Sequence, residues 1–171
     1  MSAATPHPAT LDDRVLLRQC EIRRLRRSGP GGQHRNKVET AIHLRHIPTK
    51  VESEANERRS QAENQRVALR RLRINLALEI RGSTTSESVP SELWSRRCQN
   101  TRISVNPNHA DFPVMLAEAL DVIAESAWDV KQAANKLGCT LSQLTKLLKL
   151  QPRALALVNT KRKELGLHTL K

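Results

Sequence analysis

RRSGPGGQHRNKVETAIHLRHIPT, residues 26–49, decides how the first half of this chain is read. Near its head, Gly29-Pro30-Gly31-Gly32-Gln33-His34 places three glycines, a proline and a glutamine inside an arginine-rich segment. A Gly-Gly step reaches backbone angles closed to other residues and brings the backbone against a ligand with no Cβ in the way. Pro30 fixes φ at the entry to the loop. Gln33 offers an amide donor, an acceptor and a backbone N–H, but no proton to trade at neutral pH. Such a loop suits reaching into a crowded polar site and placing a donor there. A Gly-Gly pair alone is most often an ordinary turn, so the flanks must decide.

Outward from the loop the pattern is that of a small sheet under a helix. Thr40 to His46 alternates Ala41, His43 and Arg45 against Ile42, Leu44 and His46, a half-buried strand. Glu21 to Arg27 reads as the strand before the loop. Pro48-Thr49 turns the chain, and Lys50 to Ala55 returns as an antiparallel partner. Leu11 to Gln19 reads as a short helix, with Thr10 as N-cap and Asp12 and Asp13 near its positive end. Ser60 caps a long helix reaching about Ile80, with Glu63 completing a capping box. Leu69, Leu72, Leu76 and Ile80 share one face of that helix. Arg66, Arg70 and Arg73 share another, open either to solvent or to RNA phosphate. The expected class is α+β, a small antiparallel sheet with a long covering helix over residues 11–81, preceded by a disordered tail, 1–10.

Residues 82–110 are too long for an ordinary loop and read as a linker or strap. Leu93, Trp94, Ile103 and Val105 imply that its second half docks. Residues 111–171 read as an all-helical module. Pro113 starts one helix, with Leu116, Leu120 and Ile123 on a face. Asp129 caps a second, with Val130, Ala133, Ala134 and Leu137 apolar, and Gly138 ends it. Thr140 caps a third, with Leu141, Leu144, Leu147 and Leu148 inward. Pro152 opens a fourth, ending near Gly166.

The chain has 171 residues and a net charge of +12. Residues 14–81 hold 17 basic and 7 acidic residues, a balance of +10, and 15 of the 17 are Arg. Residues 82–171 hold 12 and 8, a balance of +4. The excess is thus concentrated beside the loop, in the planar fork that suits phosphate. This is the footprint of a polyanion binder. With two Trp, one Phe and no Tyr, base stacking on aromatic platforms is not the expected binding mode. No run of about 18 apolar residues is present, so no membrane span is expected. The first ten residues resemble no secretory signal, and the expected location is cytoplasmic. Cys20, Cys98 and Cys139 form no zinc or redox motif. The six histidines are scattered, so neither a metal nor any other cofactor is expected.

The linked motifs resemble the catalytic domain of class I peptide chain release factors and of the related stalled-ribosome rescue factors. The resemblance rests on Arg26 to His34, the strand Ala41 to His46, the turn Pro48-Thr49, and Arg59-Ser60-Gln61 at the head of the long helix. It covers roughly residues 12–81. It implies ribosome-dependent hydrolysis of the ester joining a nascent peptide to P-site tRNA, with water as nucleophile. By the same resemblance Gly31, Gly32 and Gln33 are catalytic. The Gln33 backbone N–H donates to the developing oxyanion, and its side chain helps place water. Ser28, Gly29, Pro30, His34, Asn36, Arg59, Ser60 and Gln61 support the loop. Arg26, Arg27, Arg35, Lys37, Arg66, Arg70 and Arg73 would meet RNA. The implied partners are the peptidyl transferase centre of the large subunit, its rRNA and the P-site peptidyl-tRNA, bound by a monomer.

Departures qualify the resemblance. Arg35 stands where the family has an apolar residue, and Val38-Glu39-Thr40 replaces its Thr-Asp-Ser. Asn36-Lys37 resembles the rescue branch. There is no room for a decoding domain ahead of residue 12, so codon-independent rescue is expected. Pro8-Ala9-Thr10 resembles a codon-reading tripeptide, but falls in the expected tail. The C-terminal part resembles a Fis-type helix-turn-helix, with Ser142, Gln143, Lys146 and Lys149 outward on its second helix. The alternative is therefore a non-catalytic RNA- or DNA-binding protein using the basic face and this motif.

Overall fold

A computed structural model describes residues 6–25, 40–82 and 89–171. The chain divides into two compact units, one over Pro8–Glu79 and one over Ile80–Lys171 together with His7.

The first unit opens on a 3-10 turn, Pro8–Thr10, then α1 (Asp13–Arg18), β1 (Cys20–Leu25), β2 (Ala41–His46), β3 (Glu52–Ala55) and α2 (Gln61–Glu79). The strands form one antiparallel sheet in the order β1-β2-β3. Ile22 pairs with Leu44 and Arg24 with Ile42 on one side of β2, and Leu44 pairs with Ser53 on the other. In α2, Ala68, Leu69, Leu72 and Leu76 are buried, as are Ile42 and Leu44 of β2 and Ala55 of β3. Each such leucine contributes roughly 1.5–3 kcal/mol by leaving water. Polar bonds fix the helix on the sheet: Ser53 Oγ donates to the Ala68 carbonyl at 2.8 Å and Asn75 Nδ2 to the Glu52 carbonyl at 2.7 Å. The sheet's other face is charged, and Glu52 pairs there with both His43 and Arg45. His46 is buried on β2, bonding Thr49 Oγ1 and Gln19 Oε1, and burial lowers its pKa.

Two expectations at the N-terminus are corrected. Asp12, not Thr10, caps α1, its carboxylate accepting from the Arg14 N–H at 2.8 Å. Residues 8–10 are ordered: Ala9 is fully buried, and its carbonyl accepts from Arg73 Nη1 at 2.6 Å. The turn is a packed part of the α+β unit.

The second unit contains α3 (Glu92–Arg97), a hairpin of β4 (Cys98–Gln99) and β5 (Arg102–Ile103), then α4 (Asp111–Glu125), α5 (Val130–Lys136), α6 (Leu141–Lys149) and α7 (Pro152–Glu164). Helix α4 is its axis, with Phe112, Met115, Leu116, Leu120 and Ile123 at most 1% exposed. Residues 89–110, expected to act as a strap, belong to this unit. Trp94 is fully buried and its indole N–H donates to the Leu137 carbonyl at 2.8 Å. Ser91 caps α3 and also binds Glu118 through its N–H and its hydroxyl, at 2.7 and 2.6 Å. The hairpin turns on Asn100 and Thr101, both left-handed, at φ 50 and 63, the geometry of a tight two-residue turn. The module is thus helical with one small hairpin added.

Asp129 caps α5 by accepting from Lys131 and Gln132, and Thr140 caps α6 by accepting from Gln143. Gly138 between them has φ 65, closed to most side chains. Leu144, Leu147 and Leu148 face inward, but Leu141 is 41% exposed. It occupies the first helical position, where the chain has not yet turned onto the buried face.

Candidate functional site

The register of the sheet defines where the Gly-Gly-Gln loop is mounted. Leu25 at the end of β1 pairs directly with Ala41 at the start of β2. Cross-strand partners lie about 5 Å apart, so the segment between them leaves and returns at one place. The predicted catalytic residues Gly31, Gly32 and Gln33 lie in that segment, outside the described residues. So do Ser28, Gly29, Pro30, His34 and Asn36, and the cations Arg26, Arg27, Arg35 and Lys37.

Beneath the return stem lies a residue that sequence reasoning missed. Asn64, in the first turn of α2, is fully buried. Its Nδ2 donates to the Thr40 carbonyl at 2.7 Å and to the Arg58 carbonyl at 3.0 Å, and its Oδ1 accepts from the Arg58 N–H at 2.9 Å. One side chain therefore ties three segments together: the residue that re-enters the sheet, the turn before α2, and the helix itself. An apolar side chain there would leave these groups without bonds. The available signal was an asparagine, a poor helix former, at the fourth position of a strong helix.

The other predicted residues separate into two groups. Arg59, in the turn before α2, and Arg66, on that helix, are exposed; Ser60, Gln61 and Arg70 are half-buried. The Ser60 carbonyl accepts from the Asn64 N–H at 3.0 Å. With Arg24 and Arg58, also exposed, Arg59 and Arg66 give this unit a basic surface that can meet phosphate. Arg73 does not belong to it. Its side chain is 11% exposed, and its guanidinium bonds the carbonyls of Ala9 and Leu11 and the carboxylate of Asp13. It anchors the N-terminal segment, with its guanidinium engaged inside the unit.

On the second unit, Ser142, Lys146 and Lys149 of α6 are exposed as expected. Gln143 is not available in the same way: its Oε1 accepts from the Ile103 N–H of β5 at 3.2 Å. The hairpin thus engages the side chain best suited to reading base edges. Elsewhere in this unit, Asp121 is buried against Arg81 and the Gly82 N–H, and burial raises its pKa to about 6.

Among the described residues no group of three His, Cys, Asp or Glu side chains could hold a metal, and no helix is long and apolar enough to cross a membrane.

The RF-1 domain family profile matches residues 13–109, more than half of the chain. The chain belongs to the RF-1 domain family. The match covers the α+β unit from α1 onward and continues through α3 and the hairpin. Bovine mitochondrial peptide chain release factor 1 is 41% identical over 75 residues, 44% of this chain and 17% of the relative. Peptide chain release factor 1 of Xylella fastidiosa is 39% identical over 79 residues, 46% of this chain and 21% of the relative. That of Ureaplasma parvum is 38% identical over 74 residues, 43% of this chain and 21% of the relative. The aligned part thus spans about a fifth of the relatives' length. No solved structure matches the chain at a significant level.

Proposed function

We propose that this RF-1 domain protein hydrolyses the peptidyl-tRNA ester on the ribosome, and that it does so without reading a codon. The observation that carries the reading is the mounting of Gly31-Gly32-Gln33 between directly paired strand ends, in a chain of this family. Water attacks the ester carbonyl, the carbonyl oxygen takes up negative charge, and the tRNA ribose leaves. The Gln33 N–H stabilises the oxyanion, and its side chain places the water. Gly31 and Gly32 supply the backbone shape and the close approach. Catalysis is then positioning plus electrostatic stabilisation, where one oxyanion donor is worth about 10²–10³ in rate. Ser28, Gly29, Pro30, His34 and Asn36, with Arg59, Ser60 and Gln61 at the head of α2, support the loop. Arg26, Arg27, Arg35, Lys37, Arg66 and Arg70 face RNA.

The partners in this reading are the large-subunit peptidyl transferase centre, its rRNA and P-site peptidyl-tRNA, met by a monomer in the cytoplasm. Codon independence is favoured by Asn36-Lys37, which resembles the rescue branch. The test is release of labelled peptide from ribosomes with an empty A site and from ribosomes displaying a stop codon. Equal release from both supports the proposal. Release only at stop codons overturns its codon-independent part, and no release overturns it entirely.

A further inference from the structure

The second unit carries a cationic cleft that the reaction proposed above does not use. Arg96 and Arg97 at the end of α3, Gln99 of β4, Arg102 of β5 and Ser104 line an open cleft of about 400 Å³. Every lining side chain can donate a hydrogen bond, and none is a carboxylate. Arg97 is held in place: its Nε and Nη2 donate to Asp111 Oδ2 at 2.8 and 2.7 Å. Arg96 and Arg102 are exposed, and neither has an ion-pair partner among the described residues. The hairpin fixes the geometry, since the Ser104 N–H donates to the Arg97 carbonyl at 2.8 Å, pinning the strand after the turn to the helix before it.

Three guanidiniums gathered in a concavity repel one another, and one local carboxylate offsets only part of that. A built concentration of forked donors without matching acid is suited to an anion carrying several acceptor oxygens. Strand β5, which carries Arg102, is also tied to α6, where Gln143 Oε1 accepts from the Ile103 N–H at 3.2 Å. That bond takes up the amide oxygen of the side chain that would read bases on this helix. What remains outward on α6 is Ser142, Lys146 and Lys149, groups that meet phosphate rather than specify sequence.

We infer that the Arg96–Arg97–Arg102 cleft, together with Lys146 and Lys149 on the helix bonded to β5, binds the phosphodiester backbone of structured RNA without regard to sequence. The choice of RNA rests on the ribosomal function proposed for the first unit; the polyanion chemistry does not. Arg97 serves as the fixed donor, and Arg96 and Arg102 close on the phosphates from either side of it.

The test uses the full chain and a short RNA duplex of arbitrary sequence, titrated over a range of salt. Arg96→Gln/Arg102→Gln removes two exposed charges without touching a packed contact. Lys163→Gln/Lys171→Gln removes the same charge from exposed positions on the same unit. The cleft variant is expected to bind at least tenfold more weakly, and to lower the salt slope by about two, one counterion per lost contact. The control variant should stay within about twofold of wild type. Equal losses in the two variants, or no loss in either, overturn the inference. So does tighter, sequence-selective binding of a DNA duplex. Because the duplex assay involves no peptide release, a protein that binds RNA through these arginines but releases nothing refutes only the proposed reaction. One that releases peptide with an unaffected cleft variant refutes only this inference.

Discussion

Replacing Asn64 tests how the loop is mounted. Asn64→Ala removes two donated bonds and one accepted bond, to the Thr40 carbonyl and to both backbone groups of Arg58. Each lost bond is worth roughly 0.5–1.5 kcal/mol, and groups left unsatisfied and buried cost more. Water entering the small space left by the amide recovers part of this. The expected loss is about 2–4 kcal/mol. Asn64→Asp is the sharper variant. It keeps the acceptor for the Arg58 N–H but turns both donated contacts into a carboxylate facing carbonyl oxygens, so it should cost at least as much as alanine. Both tryptophans, Trp94 and Trp128, lie in the second unit. Urea unfolding is therefore followed by far-ultraviolet circular dichroism, which sees α2, with tryptophan fluorescence as an internal reference for the helical unit. A dichroism loss below about 0.5 kcal/mol for both variants, or a smaller loss for Asn64→Asp than for Asn64→Ala, would refute the reasoning.

Three further predictions concern charged side chains, two buried and one exposed. Arg73→Gln should destabilise the chain by about 2–3 kcal/mol, because three acceptors lose their charged donor, yet leave the salt dependence of RNA binding unchanged. Arg66→Gln should do the reverse, lowering the salt slope by about one with little effect on the urea midpoint. Asp121 ordinarily ionises near 3.8, and burial raises it to about 6, so the native state holds its proton more tightly than the unfolded chain. Its contribution is fully present below the unfolded value and is lost as pH rises through about 6, a difference of at most about 3 kcal/mol. Arg81 opposes this shift and Glu125 adds to it. Fluorescence-monitored urea melts should show wild type losing stability relative to Asp121→Asn as pH rises through that window; parallel profiles would contradict the assignment.

Much of the first unit was legible in the residues. Ser60 followed by leucines at helical spacing announced α2, and the alternation from Ala41 to His46 announced the central strand. Asp129, Gly138 and Thr140 marked the α5–α6 turn because caps and left-handed glycines are local chemistry. What was not legible depended on distant partners. A helical wheel places Arg73 beside Arg66, but cannot show that an N-terminal turn arrives to use its donors. Residues 89–110 lack strong periodicity, and the bonds of Trp94 to Leu137 and of Ser91 to Glu118 reveal that they belong to the helical unit. The same holds for Gln143, outward by spacing yet engaged by a strand 40 residues earlier.

The central claim is catalysis by the Gly31-Gly32-Gln33 backbone, and it is tested most directly by comparing release and binding in Gly31→Ala and Gly32→Ala. A Cβ at either position closes backbone angles open to glycine and blocks the close approach, while the arginines proposed to meet RNA are untouched. The account predicts that labelled peptide release from ribosomes with an empty A site falls at least about a hundredfold, with ribosome affinity nearly unchanged. Release at the wild-type rate by both variants would contradict it.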